Sequence, residues 1–372
     1  MKKIYLGVNG VARKVKKAYL GVDNLARKVK KAYLGVNNVA RPVMASEVAY
    51  FGEVTPLGYG RPGHMSGSTS DYALFAGGAY ALNDCETYDK SLTYRSVTGL
   101  DNIKIFGASV SIDNSVIFAG GFDTGPGSGY LDVEKYDNSL TKSKLPDLSE
   151  EKGYVSGLDV GEFAVFVGGI HYQSGHLGVR NIDYYDKSGT HFTRLFDVNA
   201  YMLSSAKAGE TGLFYGYSNR VYAFDTSLTM ITLTDTDVTT SKLFSSGASI
   251  DDYAVFAGGQ TNLNLNTSHA IDVTKVYDSS LTKVAQLQLK NPSSQLSGIA
   301  AGDYLIFAGG MNDTTLNDIN CFDTSFTLKD IGSLKYKRRL LKAATVGSYA
   351  IFAGGCTSDF DTAVNNTEVF IF

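Results

Sequence analysis

The feature that most constrains this chain is a short apolar run closed by a glycine pair, repeated along most of its length. It reads YALFAGG at 72–78, SVIFAGG at 115–121, FAVFVGG at 163–169, YAVFAGG at 253–259, YLIFAGG at 304–310 and YAIFAGG at 349–355, with a degraded copy, GLFYGY, at 212–217. The first glycines stand at 77, 120, 168, 216, 258, 309 and 354, so one unit spans 42 to 51 residues. A unit of that size cannot bury its apolar face alone and has to stack on its neighbours. A second motif follows each of the first six copies: YDKSLT at 88–93, YDNSLT at 136–141, YDKSGT at 185–190, FDTSLT at 224–229, YDSSLT at 277–282 and FDTSFT at 322–327. Its aromatic ends a strand, and its Asp-x-Ser favours an Asx-type turn into the next.

Between each YD motif and the next glycine pair lie a strand, a loop and another strand. That makes four strands per unit, at the period of propeller blades. Seven glycine-pair strands face only six YD motifs, a mismatch that ring closure resolves. The chain makes one more strand, TEVFIF at 367–372, while VAYFGEVTPL at 48–57 resembles an outer strand with no blade before it. The expectation is an all-β, seven-bladed β-propeller over 44–372, its last blade closed by the N-terminal strand.

The glycine pairs and the following Tyr88, Tyr136, Tyr185, Phe224, Tyr277 and Phe322 resemble the kelch family over 44–372. The chain departs from that family in having no Trp at all. The resemblance implies a propeller and leaves two function classes open. Some kelch proteins are copper oxidases or sialic-acid mutarotases; others only bind.

Residues 1–43 form a different unit, three 14-residue copies: KKIYLGVNGVARKV, KKAYLGVDNLARKV and KKAYLGVNNVARPV. They carry 11 Lys or Arg against the single acid Asp23, whereas the other 329 residues carry 23 bases against 36 acids. The pairs Asn9-Gly10, Asp23-Asn24 and Asn37-Asn38 suit two-residue hairpin turns, so up to six short strands are expected as a meander. Such a sheet needs a cover, and we read 1–43 as a β-hairpin attachment module for self-association or a larger assembly. No nucleic-acid motif accompanies the charge, so nucleic acid is not an expected partner. The repeats resemble those of phage and prophage tail-associated proteins of Gram-positive bacteria. With no secretory signal and no apolar run long enough for a membrane span, the expected setting is a cytoplasmically made, virion-associated protein.

From the second glycine position to the blade aromatic the spacing varies from 7 to 18 residues; from aromatic to next glycine it stays at 31 to 34. Length variation is thus concentrated on one face, which reads as a recognition surface. Sixteen residues before the first glycines stand Arg61, Lys104, Lys152, Ala200, Lys242, Ser293 and Arg338. The five cations are expected at the channel mouth, holding an anionic ligand; the alternative is that each bonds backbone carbonyls or a blade neighbour. Tyr80, Phe122 and Tyr172 are expected as a stacking surface beside them. His64, His171, His176 and His269 lack metal-ligand spacing, so neither a metal nor a cofactor is expected. Cys85 and Cys356 are read as reduced thiols in loops. The function so read is non-catalytic recognition of a glycan, surface polymer or protein partner, with an enzyme on small anionic sugars, or a copper oxidase, as the alternative.

Overall fold

The computed structural model describes residues 47–372 apart from 81–82, 124–128, 172–176, 196–201, 217–219, 235–241, 263–268 and 359–361; within 1–46 it describes only the backbone of six short strands. Seven four-stranded antiparallel sheets follow one another along the chain, each running from an inner to an outer strand. Blade 1 comprises Met65–Ser68, Tyr72–Ala76, Cys85–Asp89 and Tyr94–Val97. The glycine-pair runs are the second strands of blades 1 to 7, all almost wholly buried. The protein is a seven-bladed β-propeller. Among the described residues, no helix is long and apolar enough to cross a membrane.

Blade 7 is assembled from both ends of the propeller. Lys342–Val346, Tyr349–Ala353 and Thr367–Ile371 are completed by Ala49–Glu53, with Ile371 opposite Ala49 and Glu368 opposite Glu53. The N-terminal strand therefore supplies the outer edge that the C-terminus lacks. Tyr50 packs edge-on against Phe370, at 5.4 Å between ring centroids.

The two repeated motifs do separate jobs. In the YD motif, the Asp89 carboxylate accepts the backbone N–H groups of Ser91 (2.8 Å) and Thr93 (3.0 Å), and the same pair recurs at Asp137, Asp225, Asp278 and Asp323. The glycine pair joins neighbouring blades. The N–H of Gly78 donates to the Lys104 carbonyl, Gly121 to Lys152, Gly259 to Ser293, Gly310 to Arg338 and, across the ring closure, Gly355 to Arg61. A Cβ on Gly77, Gly120, Gly258 or Gly309 would stand 2.1 to 2.6 Å from the same carbonyls, and all four sit at positive φ. Only glycine meets both demands.

The N-terminal repeats form three separate hairpins, Tyr5–Val8 with Val11–Lys14, Tyr19–Val22 with Leu25–Lys28, and Tyr33–Val36 with Val39–Pro42. The expected hairpins are present. Among the described residues each ladder has two strands, so no ladder joins one hairpin to the next as the expected meander would.

The cation positions explain how blades 1, 2, 3 and 7 are braced. In blade 2, Lys104 pairs with Glu134 of the third strand, and both side chains are wholly buried. Glu134 also accepts the backbone N–H of Asp101 at 2.9 Å, on the loop entering the blade. Removing one member of a buried pair strands the other charge, at a cost of about 3–5 kcal/mol, whereas replacing both with apolar groups is far milder. Glu134→Ala is therefore expected to lower unfolding free energy by about that amount in denaturant titrations. Lys104→Met/Glu134→Leu should recover most of the loss, and equal losses in both proteins would refute the brace. A second expectation concerns closure: deleting 1–57 should destabilise the propeller, and deleting 1–43 should leave its melting temperature unchanged. Equal melting temperatures for both truncations would show that the Ala49–Glu53 strand contributes nothing.

Candidate functional site

The ring of cations does not face the channel. Arg61, Lys104, Lys152, Lys242 and Arg338 are all 0 % exposed, and their charges point into their own blades. Arg61 pairs with Glu86, Lys104 with Glu134, Lys152 with Asp183 (2.5 Å) and Arg338 with Glu368 (2.9 Å). Each also bonds nearby carbonyls, as Lys152 does with Asn181 at 2.9 Å and Arg338 with Asn366 at 2.6 Å. Lys242 donates to the Val273 carbonyl at 2.7 Å and lies 5.7 Å from the centre of the Tyr215 ring. Burial alone would raise the Asp183 carboxyl, but Lys152 and the Ser149 N–H outweigh it and hold the group below its usual range. The expected anion-binding ring is thus a set of internal braces.

A sequence signal for this was present. The residues two before the blade aromatics are Glu86, Glu134, Asp183, Tyr222, Lys275, Asn320 and Glu368. Acids occur in blades 1, 2, 3 and 7, each opposite a paired cation; blade 6 has Ser293 opposite Asn320.

What faces the channel is the residue two places further on. Gly63, Phe106, Tyr154, Met202, Phe244, Gln295 and Leu340 stand one per blade, all in the left-handed region with φ between 52° and 69°. Non-glycine residues hold that conformation only when their surroundings over-determine it. Here a circumferential chain of backbone hydrogen bonds does so. Tyr154 N–H donates to Phe106, Phe106 to Gly63, Gly63 to Leu340, Leu340 to Gln295 and Gln295 to Phe244, at 2.8 to 3.3 Å. The side chains of this collar border a cavity of about 130 Å³ together with Val155, Leu203, Ser245, Leu296, Leu341 and Lys342. Tyr154 stacks on Phe106 (4.3 Å, 23°) and meets Phe244 edge-on at 5.8 Å.

The three aromatics expected beside the cations part company. Phe122 is 7 % exposed and packs edge-on against Tyr154 at 5.5 Å, so it supports the collar rather than the outer loop surface. Tyr80 is 42 % exposed, one register position beyond the Phe122 equivalent, Ala79. Tyr172 and His176 lie outside the described residues. His171 stands 4.0 Å from Glu151, and His269 shares a hydrogen bond with Asn262 at 2.7 Å. Among the described residues, no three His, Cys, Asp or Glu side chains gather as a metal site. Cys85, expected in a loop, opens the third strand of blade 1; it and Cys356 are buried thiols outside any disulfide, and burial pushes the Cys85 thiol up to about 12.

No family profile matches the sequence, and no curated protein matches it. Among solved structures, one titled "Structure of YjhT" is similar, at 13% identity and a TM-score of 0.52 over 71% of this chain and 93% of that one. The likeness is one of fold.

Behind the collar, His64 is wholly buried between blades 1 and 7. Its Nδ1–H donates to the Arg61 carbonyl at 2.5 Å, and Nε2 has no partner. Burial, then repulsion by Arg61 and Lys342, holds the imidazole well below its ordinary pKa. The folded value lies under the unfolded one of about 6.5, so between them only the unfolded chain takes up a proton. Stability contributed by neutral His64 is therefore complete above about pH 6.5 and lost as pH falls below it. Blades 4, 6 and 7 carry Leu203, Leu296 and Leu341 at this position. His64→Leu is expected to melt above wild type, by a margin that widens as pH drops below about 6.5. A margin independent of pH would refute the assignment.

Proposed function

We propose that this propeller is a non-catalytic recognition protein that takes its ligand at the channel collar, framed by the variable loops of the same face. The observation that carries the reading is the composition of the cavity: three aromatic rings, Met202, Val155, leucines, one hydroxyl from Ser245, one amide from Gln295 and one amine from Lys342. Its described lining residues offer a surface for stacking and hydrogen bonding, and include no carboxylate or imidazole to move a proton. Apolar walls with a few convergent polar groups are the ordinary make-up of a ligand site. The repeat pattern supports a kelch-like assignment. The collar and the unequal loops suit the end of a glycan or surface polymer, with a protein partner as the other ligand class. The basic hairpins of 1–43 would then attach the propeller to its carrier, in keeping with their likeness to phage and prophage tail-associated repeats.

The reading is tested by glycan-array screening of the full chain, followed by titration of any hit against Tyr154→Ala and Phe244→Ala. Each variant is expected to keep the propeller fold and to bind at least about tenfold more weakly, equivalent to roughly 1.4 kcal/mol. Unchanged affinity in both would move recognition off the collar and onto the outer loops.

A further inference from the structure

The amine in the collar cavity differs from every braced cation in the molecule. Lys342 opens the inner strand of blade 7, twelve residues before Gly354. The equivalent residues of the other six blades are Met65, Ala108, Ser156, Ser204, Ser246 and Ser297, none of them charged. Lys342 keeps accessible surface because it borders the hollow channel. Protein surrounds it otherwise, and desolvation alone pushes its pKa below the usual lysine value. Among the described residues it has no hydrogen bond and no ion pair, whereas Arg61, Lys104, Lys152 and Arg338 each own a buried carboxylate. An ammonium that faces the channel with no counter-charge from the protein is placed to make a charge-assisted bond to a ligand carboxylate. The cavity, at about 130 Å³, has room for such a group and the edge of the ring that bears it.

We propose that Lys342 anchors an anion subsite in the central channel, holding the carboxylate of a small cyclic acid whose ring lies against Tyr154, Phe106 and Phe244. This rests on the reading of the collar as the binding site and adds its ligand class. The lysine supplies charge and the aromatic rings supply the contact surface. Gln295 stands on the same collar as an amide able to donate or accept beside the carboxylate.

The test is calorimetric titration of the full chain with D-glucuronate and phenylacetate, each against its neutral amide. Wild type is expected to bind at least one acid tenfold or more tightly than its amide. Lys342→Met, which installs the residue that blade 1 already carries there, should melt no lower than wild type and bind acid and amide equally. Lys342→Arg should keep the preference. No acid preference in wild type, no measurable binding of either acid, or a preference that survives in Lys342→Met would each overturn the assignment. Tyr154→Ala separates this from the collar reading. Amide binding unaffected by Tyr154→Ala sinks the collar, while acid preference unaffected by Lys342→Met sinks the lysine and leaves the collar standing.

Discussion

In blades 1, 2, 3 and 7 the residue sixteen places before the first glycine ties the propeller together in two directions at once. Its side chain crosses its own blade to the third strand, as Lys104 does to Glu134, and its carbonyl accepts the glycine N–H of the preceding blade, as Lys104 does from Gly78. The carboxylate it meets completes the arrangement by accepting the N–H of the incoming loop: Gly58 for Glu86, Asp101 for Glu134, Ser149 for Asp183, Lys335 for Glu368. In blade 6 the loop contact is made without charge, since Asn320 accepts the N–H of Lys290 at 2.7 Å. In blades 1, 2, 3 and 7 a buried polar cluster thus sets the spacing of strands within the blade and the spacing of the blade from its neighbour. Buried ion pairs of this kind add little net stability over apolar substitutes. Their value here is geometric, because they hold a loop, a strand and the next blade in a single register.

The collar follows from that register. With the brace residue pinned on both sides, the chain has two residues in which to turn into the inner strand, and it does so through the left-handed region at all seven blades. The turn aims Phe106, Tyr154, Met202, Phe244 and Leu340 at the axis, and the chain of backbone hydrogen bonds from Tyr154 round to Phe244 holds Phe106, Tyr154, Phe244 and Leu340 there. Rigid support beneath a small apolar cavity is what a binding site requires, because little ordering remains to be done when the ligand arrives. Brace and collar therefore share a three-residue stretch, with the brace cation first and the collar residue third.

Departures from sevenfold repetition mark where the molecule is specialised. Gly63 leaves the collar open at blade 1, His64 replaces an apolar residue behind it, and Lys342 replaces a small or apolar one beside it. All three lie at the junction of blades 1 and 7, where the two ends of the propeller meet. The first glycine of blade 7 also lies against this seam: a Cβ on Gly354 would stand 2.8 Å from His64 and 3.1 Å from Arg61. The seam is thus both the place where the ring is closed and the place where its channel is least symmetrical.

The repeat period, the paired glycines and the unequal count of motifs determined the architecture from sequence alone, including which strand closes blade 7. They could do so because each rests on local chemistry: positive φ at glycine, an Asx turn at Asp-x-Ser, alternating burial along a strand. The same periodicity located the rings of residues around the axis. It could not say which way each ring points. Arg61 and Gly63, or Lys104 and Phe106, are two residues apart, and only the left-handed turn between brace and inner strand sends the first into the blade and the second into the channel. Phe122 and Tyr80 were separated by the same kind of fact, a one-place difference in register that buries one and exposes the other. Lys342 shows the limit most plainly. Its charge at a position otherwise held by Met, Ala and Ser was visible in the sequence, but its lack of a partner is a property of everything packed around it, which only the tertiary structure decides.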